Sequence, residues 1–316
     1  MRLLWQTRSN PLAWWWMLLT LVSSGNIALW IVLYQRVGTE AANRADGMSD
    51  MKVMVLLCGA YVFGCAFRSM LPRADVQRIC VFDTWLSSVL IGRSVATVAE
   101  VCFAVQWAIV LNHLGGIAGV ETTSNIALVI VPLIVVAQCC SWYGVLTTNC
   151  LANAIENSIW AVAFFLVAIG LYQLMPEFDG LVLLALKVAI VGIAGYLAFL
   201  VTVDVPMYLS RWKSGPSDGK GVLSLLDGLR DVSTRWVVSH DIAHWKDEIA
   251  WMSLYFTMAV WASLGLCFAF SLGEPRPLCR VEPAAHVLTV AQNIPSLNEA
   301  GNLSAEACKR PHRHGS

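Results

Sequence analysis

The sequence predicts an all-α, polytopic membrane helix bundle of about seven transmembrane helices, with a cytoplasmic amino terminus and a carboxyl terminus outside or in a lumen. Three observations predict it. The 316 residues are 57% hydrophobic and 13% charged, whereas soluble domains run near about 45–50% apolar and about 25% charged. The fourteen tryptophans suit a chain with two membrane interfaces, where Trp concentrates. Seven separate stretches reach the roughly 20 mostly apolar residues needed to cross the hydrocarbon. A formal net charge of zero leaves no basic stripe to neutralise phosphates, which excludes nucleic acid as a partner.

The spans fall at roughly 11–35, 50–70, 82–112, 125–147, 149–173, 181–208 and 249–272. The first is too long for a signal-peptide core and has no clear small-x-small cleavage site, which makes it a retained helix. The fourth and fifth are joined only by Thr147, Thr148 and Asn149, the mark of a tight helical hairpin. An odd number of spans without an internal repeat argues against two repeated halves. Residues 1–273 therefore form one transmembrane domain that includes a cytoplasmic segment, 209–247, and residues 274–316 form a loosely ordered extracytoplasmic tail rich in Pro, Ala, Asn and Ser.

Lys and Arg in the connections set the orientation. One side carries Arg2, Arg8, Arg68, Arg73, Arg78, Arg211, Lys213, Lys220, Arg230, Arg235 and Lys246; the other carries Arg36, Arg44, Lys52, Arg276 and Arg280. The richer side is expected to be cytoplasmic. Two features of the tail fit that assignment. Asn302-Leu303-Ser304 is an N-glycosylation acceptor, useful only on the lumenal face, and Cys279 and Cys308 would form a disulfide in an oxidising compartment. The other eight cysteines lie in or beside spans without CxxC spacing and read as small apolar packers. His312 and His314 read as a solvated end. The localisation that follows is a multi-pass protein of the plasma membrane or an endomembrane.

Ionisable groups inside spans are costly unless paired or hydrated, so each is a candidate for function. Arg93, Thr97 and Glu100 share one face of the third span, and Asn149, Asn153, Glu156 and Trp160 one stripe of the fifth. Gln138 and Trp142 lie in the fourth, Lys187 and Asp204 in the sixth. At about 1.5 Å of rise per residue, Arg93 lies about 12–16 Å in from the cytoplasmic end, Glu156 about 10 Å and Glu100 about 22–27 Å. Lys187, about 10 Å from the opposite face, reaches the level of Glu100. These depths pair Arg93 with Glu156, Glu100 with Lys187, and Arg68 with Asp204. The expected site is a polar cavity between spans three, five and six, lined by Arg93, Glu100, Glu156 and Lys187 with Asn153 and Gln138 as hydrogen-bonding partners. It would bind, transport or sense a small polar or charged solute, a proton or a lipid headgroup, within a bundle embedded in lipid and open to oligomerisation. The same four charges can alternatively serve only to fix which helices meet.

The segment Val222–Trp236 carries Val222, Leu225, Leu226, Leu229 and Trp236 at helical spacing, opposite Asp227, Arg230, Asp231 and Arg235. This is the pattern of an amphipathic helix lying on the membrane surface or against the bundle. His240, His244 and Glu248 follow at intervals of four. On a helix they would face one point, where zinc or iron would be held and a membrane-embedded enzyme could act on lipid near the cytoplasmic face. A solvated face gives the same pattern, with Asp247 and Glu248 at the positive end of the seventh helix.

In span number and orientation the chain resembles the progestin and adiponectin receptor family of zinc-containing membrane proteins. That family's Ser-x-x-x-His motif and intramembrane histidines have no counterpart here, since His240 and His244 precede the last span and His113 ends the third. The resemblance stops at topology. A retinal-binding reading fails for want of a lysine in the seventh span. No P-loop or dinucleotide fingerprint is present.

Overall fold

A computed structural model describes residues 10–43, 49–75, 77–215 and 222–273. The chain divides into two compact units, Met1–Glu274 and Pro275–Ser316, and every described residue belongs to the first. Asn302, Cys279, Cys308, His312 and His314 lie outside the described residues.

Helices dominate because the apolar runs can satisfy their backbone groups in lipid only internally. In order they are α1 (Pro11–Asn43), α2 (Ser49–Met70), α3 (Val89–Ala118), α4 (Glu121–Thr147), α5 (Cys150–Leu174), α6 (Gly180–Phe199), α7 (Val205–Ser214), α8 (Leu225–Thr234), α9 (Ile242–Leu254) and α10 (Val260–Gly273). A π-turn, Leu200–Asp204, joins α6 to α7, and a second, Tyr255–Ala259, joins α9 to α10. Among the described residues, seven stretches are long and apolar enough to cross a bilayer, as a multi-pass membrane protein requires: α1 to α5, α6 with α7, and the last from Glu248 to Ser271.

Local chemistry sets the ends. Ser88 caps α3, its Oγ accepting from Ile91 N at 3.4 Å, and Gly119 closes the helix at φ 69°. The α4–α5 hairpin turns on Thr148 at φ 60°, after which the Asn149 side chain accepts from Leu151 N at 3.0 Å. The hairpin is held tight where α5 presses Asn153 against the backbone of Gly144.

One correction follows. The third span begins at Val89 rather than 82, and runs to Ala118. Residues 71–75 and 77–88, which precede it, fold inward. Arg73–Ala74 (β1) pairs antiparallel with Ile79–Cys80 (β2), and β2 pairs parallel with Val237–Val238 (β3) from the far segment. The loop, β3, α8 and the ends of the spans that meet them form the arginine-rich end of the bundle. Asp83 accepts from Trp236 Nε1 at 3.0 Å, which ties residues 82–88 to that end.

Helix α8 lies against the bundle, one of the two placements its amphipathic pattern allows: it packs on the α4–α5 turn through Gly228, which lies against the Leu146 carbonyl, and through Val232. Arg78 and Asp231 fasten it at 3.0 Å. Its leucines point away from the bundle, and Leu226 is 79% exposed.

Gly92 allows the inward loop to close. A Cβ there would meet the Arg73 guanidinium, whereas one at Gly192 meets nothing within 4 Å. Gly92→Ala is expected to lower stability by about 1–3 kcal/mol, the usual cost of overpacking. Gly192→Ala should leave the midpoint unchanged or slightly higher. Thermal unfolding of the detergent-solubilised protein checks this, and equal midpoints for the two variants would refute the packing.

Candidate functional site

The site forms where α3, α4 and α5 meet the second π-turn. Arg93, Thr97 and Glu100 descend one face of α3, Gln138 and Trp142 face them from α4, and Glu156 comes from α5. Arg93 is 8% exposed, Glu100 7% and Glu156 8%.

One atom organises the group. Arg93 Nη2 lies 3.0 Å from Glu156 Oε1 and 3.6 Å from Glu100 Oε2, and donates to Gln138 Oε1 at 3.1 Å. Gln138 Nε2 donates to Glu100 Oε2 at 2.6 Å, and Thr97 Oγ1 donates to Gln138 Oε1 at 3.0 Å. Trp142 Nε1 donates to Thr97 at 3.0 Å. Tyr255 Oη donates to Glu100 Oε1 at 3.0 Å, and it is the first residue of the π-turn. Such turns shift side-chain direction within a helix and recur at functional sites. Arg93 Nε is buried without a hydrogen-bond partner. The guanidinium thus holds two carboxylates through one nitrogen, unlike the two-nitrogen fork of a locked pair.

The expected Arg93–Glu156 pair is therefore present, and Gln138 joins it. Asn153, 7% exposed, lies one turn before Glu156 in a cleft described below. The Glu100–Lys187 pair is not formed: Lys187 is exposed on α6 and makes no ion pair among the described residues. The reason is geometric. With α3 beginning at Val89, Glu100 is only about 16 Å along the helix, and Arg93 about 6 Å. Arg68 does not meet Asp204 either. It faces Asp75 at 3.7 Å, while Asp204 accepts from Asn157 Nδ2 at 3.0 Å.

A second charged group, at the arginine-rich end, gathers arginines that in the sequence marked only the orientation of the spans. Asp75 pairs with Arg73 at 2.9 Å as well as with Arg68. Arg73 donates to the Ser88 and Val89 carbonyls, and Arg78 donates to the Asp75 and Val145 carbonyls at 3.0 and 2.7 Å. Burial draws the Arg73 guanidinium down to about 10, against the pull of Asp75, so it stays charged at neutral pH. Burial likewise raises the Cys80 thiol to about 11, which keeps it a protonated donor to the Phe82 carbonyl. Burial also opposes the Asp75 carboxylate, but Arg73, Arg68, Arg93 and Arg78 outweigh it and hold the carboxyl below its ordinary value. Only the Pro72 turn and one acid among arginines marked this group in the sequence. Asp75, Arg78, Gly144, Val145, Thr148, Cys150 and Asn153 line a small, partly open cleft beside it.

The histidine stretch holds no metal cluster. Asp241 caps α9, accepting from Ala243 N at 2.9 Å, so His240 precedes the helix and cannot stack over His244. His240 Nε2 donates to the Val81 carbonyl at 2.9 Å, His244 Nδ1 meets Ser239 Oγ at 2.7 Å, and Glu248 accepts from Gln77 at 2.8 Å. Among the described residues no three His, Cys, Asp or Glu side chains gather as metal ligands. Glu248 does not begin the last helix, which starts at Ile242. Trp245 is fully buried, its ring 5.9 Å from that of Trp15.

No family model, curated protein or solved structure matches the chain. Any function must therefore be read from the site itself.

Two variants test the energetics. Arg93→Met leaves two buried carboxylates without their cation and should cost about 3–5 kcal/mol; adding Glu156→Gln should recover part of it. Full additivity of the two losses in denaturant unfolding would show that the residues are not coupled. For Asp75, a depressed native value means its contribution is present above the unfolded value and lost as pH falls through the native one. Asp75→Asn should thus be less stable than the parent at neutral pH, and the two should converge below about pH 4. A constant gap across that range would contradict the assignment.

Proposed function

We propose that this multi-pass membrane protein transports or senses a small cation, taken up by Glu100 and Glu156 beside Arg93, with Gln138 and Tyr255 as orienting partners. One observation carries the reading: a single guanidinium lies between two buried carboxylates. Within that group one positive charge faces two negative ones, and an uncompensated charge in a low-dielectric interior is expensive. The next cations, Arg68 and Arg73, are engaged by Asp75. The inner group closes neutral when a cation joins it.

The half-engaged guanidinium supports the same reading. A purely structural ion pair is best served by a bidentate grip with every donor satisfied. Arg93 instead shares one nitrogen among three acceptors and leaves Nε buried and unpaired, as befits a group that changes partners. Lys187 has no part in the site.

Reconstitution into vesicles tests this. Cation-driven flux, or the cation-dependent conformational signal of a sensor, should fall at least about a hundredfold in Glu100→Gln and in Glu156→Gln, the scale of losing an interaction worth about 3 kcal/mol. Lys187→Gln should remain within about twofold of the parent. Loss in Lys187→Gln with retention in Glu156→Gln would overturn the reading.

A further inference from the structure

Resting on the reading that the Arg93 group takes up a cation, we infer that the cation is a proton, and that it reaches Glu156 from the arginine-rich end through the cleft beside Asn153.

The donor set speaks for a proton. Both oxygens of Glu100 already accept from protein donors, Oε1 from Tyr255 and Oε2 from Gln138, and Glu156 Oε1 accepts from Arg93. A metal cation needs several free oxygens turned toward it, and here N–H and O–H groups occupy those directions. The resident guanidinium would also repel it. A proton needs neither space nor a ligand shell, and it removes one negative charge outright.

The cleft supplies the route. Its wall ends at Asn153, and Glu156 follows three residues later on α5, about 4.5 Å further along the helix on nearly the same side. Asn153 is braced against Gly144 of α4. Asp75 stands across the cleft, its carboxylate held by Arg73 and Arg68.

The transfer balances without any other reactant. An O–H bond of hydronium breaks and a carboxyl O–H bond forms on Glu156, leaving water in the cleft. Glu156 then no longer attracts Arg93, and Nη2 closes the 3.6 Å gap to Glu100. Arg93 is thereby a two-position element, the kind of bistable contact that ligand binding can bias. The groups that face Glu156 and set when this happens are Arg93 and Glu100 from α3 and Cys140 from α4. From the sixth span Tyr196 and Tyr208 act on it directly, with Asp204 behind them. Asp75 and Tyr255 act through Arg93.

Infrared difference spectroscopy of the protein in lipid vesicles, after a downward pH step, reads carboxyl protonation directly. The parent should show one protonated-carboxyl band that vanishes in Glu156→Gln and is unchanged when sodium is replaced by choline. Asn153→Leu, which fills the cleft, should slow its appearance about tenfold without changing its final amplitude. Cys150→Trp plugs the same wall and serves if Asn153→Leu fails to fold. A band that shrinks with added sodium overturns the proton. Unchanged rates in both plugged variants overturn the route, and a band lost in Glu100→Gln but kept in Glu156→Gln overturns the acceptor. A parent with no such band, and no response of flux or conformation to any cation, overturns the underlying reading as well.

Discussion

The fold is arranged around a charge that lipid does not tolerate. Arg93 lies one turn into α3 with its guanidinium inside the bundle, and it can remain there only because Glu156, Glu100 and Gln138 reach it from α5, α3 and α4. That requirement fixes the rotation of three helices about their axes and sets the distance between them. The tight α4–α5 turn, with Asn153 wedged on Gly144, delivers Glu156 at the right height. The π-turn in the last span delivers Tyr255 to the other side of Glu100. A continuous α-helix from Ile242 to Gly273 would carry that hydroxyl elsewhere on the helix surface, so an irregularity in hydrogen bonding supports an interaction in the site.

The arginine-rich end performs a different task. Residues 71–88 turn inward and place Arg73 and Asp75 between the helix ends, while β3 and α8 from the far segment cover them. Arg68 and Arg73 together exceed Asp75 by one positive charge, and the inner group has the opposite imbalance. The two groups, one above the other, form a dipole along the bundle. Its positive part lies at the start of α3, where Arg73 meets the Ser88 and Val89 carbonyls, and its negative part about one to three turns further along that helix. A device of this form need not be strongly stabilising, because buried ion pairs recover their desolvation cost only when geometry is good.

Much of this was legible in the sequence, and the failures are instructive. Spans are a one-dimensional signal, so the seven apolar runs and the α4–α5 hairpin could be placed from hydropathy and a three-residue link. Arg93 and Glu156 were found as partners because a charge in an apolar run is conspicuous and helix rise turns position into depth. The same rule misled for Glu100. Starting α3 at 82 instead of 89 put every residue about 10 Å too deep, and Lys187 then appeared to be its partner. Asp83, Ser87 and Ser88 were the cue, since Ser88 is a capping residue. Tyr255 carried no cue at all: a tyrosine in an apolar run is ordinary, and its role comes from a π-turn that no local pattern announces. The inward fold around Arg73 and Arg78 was not legible, because a polar segment buried by distant chain has the same composition as a solvated one. His240 and His244 failed for a local reason, as Asp241 between them starts the helix.

The central claim is that Arg93 leaves its two carboxylates one charge short. Proton counting tests it most directly. The protein in an unbuffered detergent solution is acidified from neutral to mildly acid pH and its proton uptake is compared with that of the Glu100→Gln, Glu156→Gln double variant. The account predicts a difference of about one proton per chain, because one carboxyl of the pair takes up a proton beside Arg93 while the other stays ionised. A difference near zero, with both proteins folded, would mean that Arg93 is balanced by other means and that the group is only a structural tie.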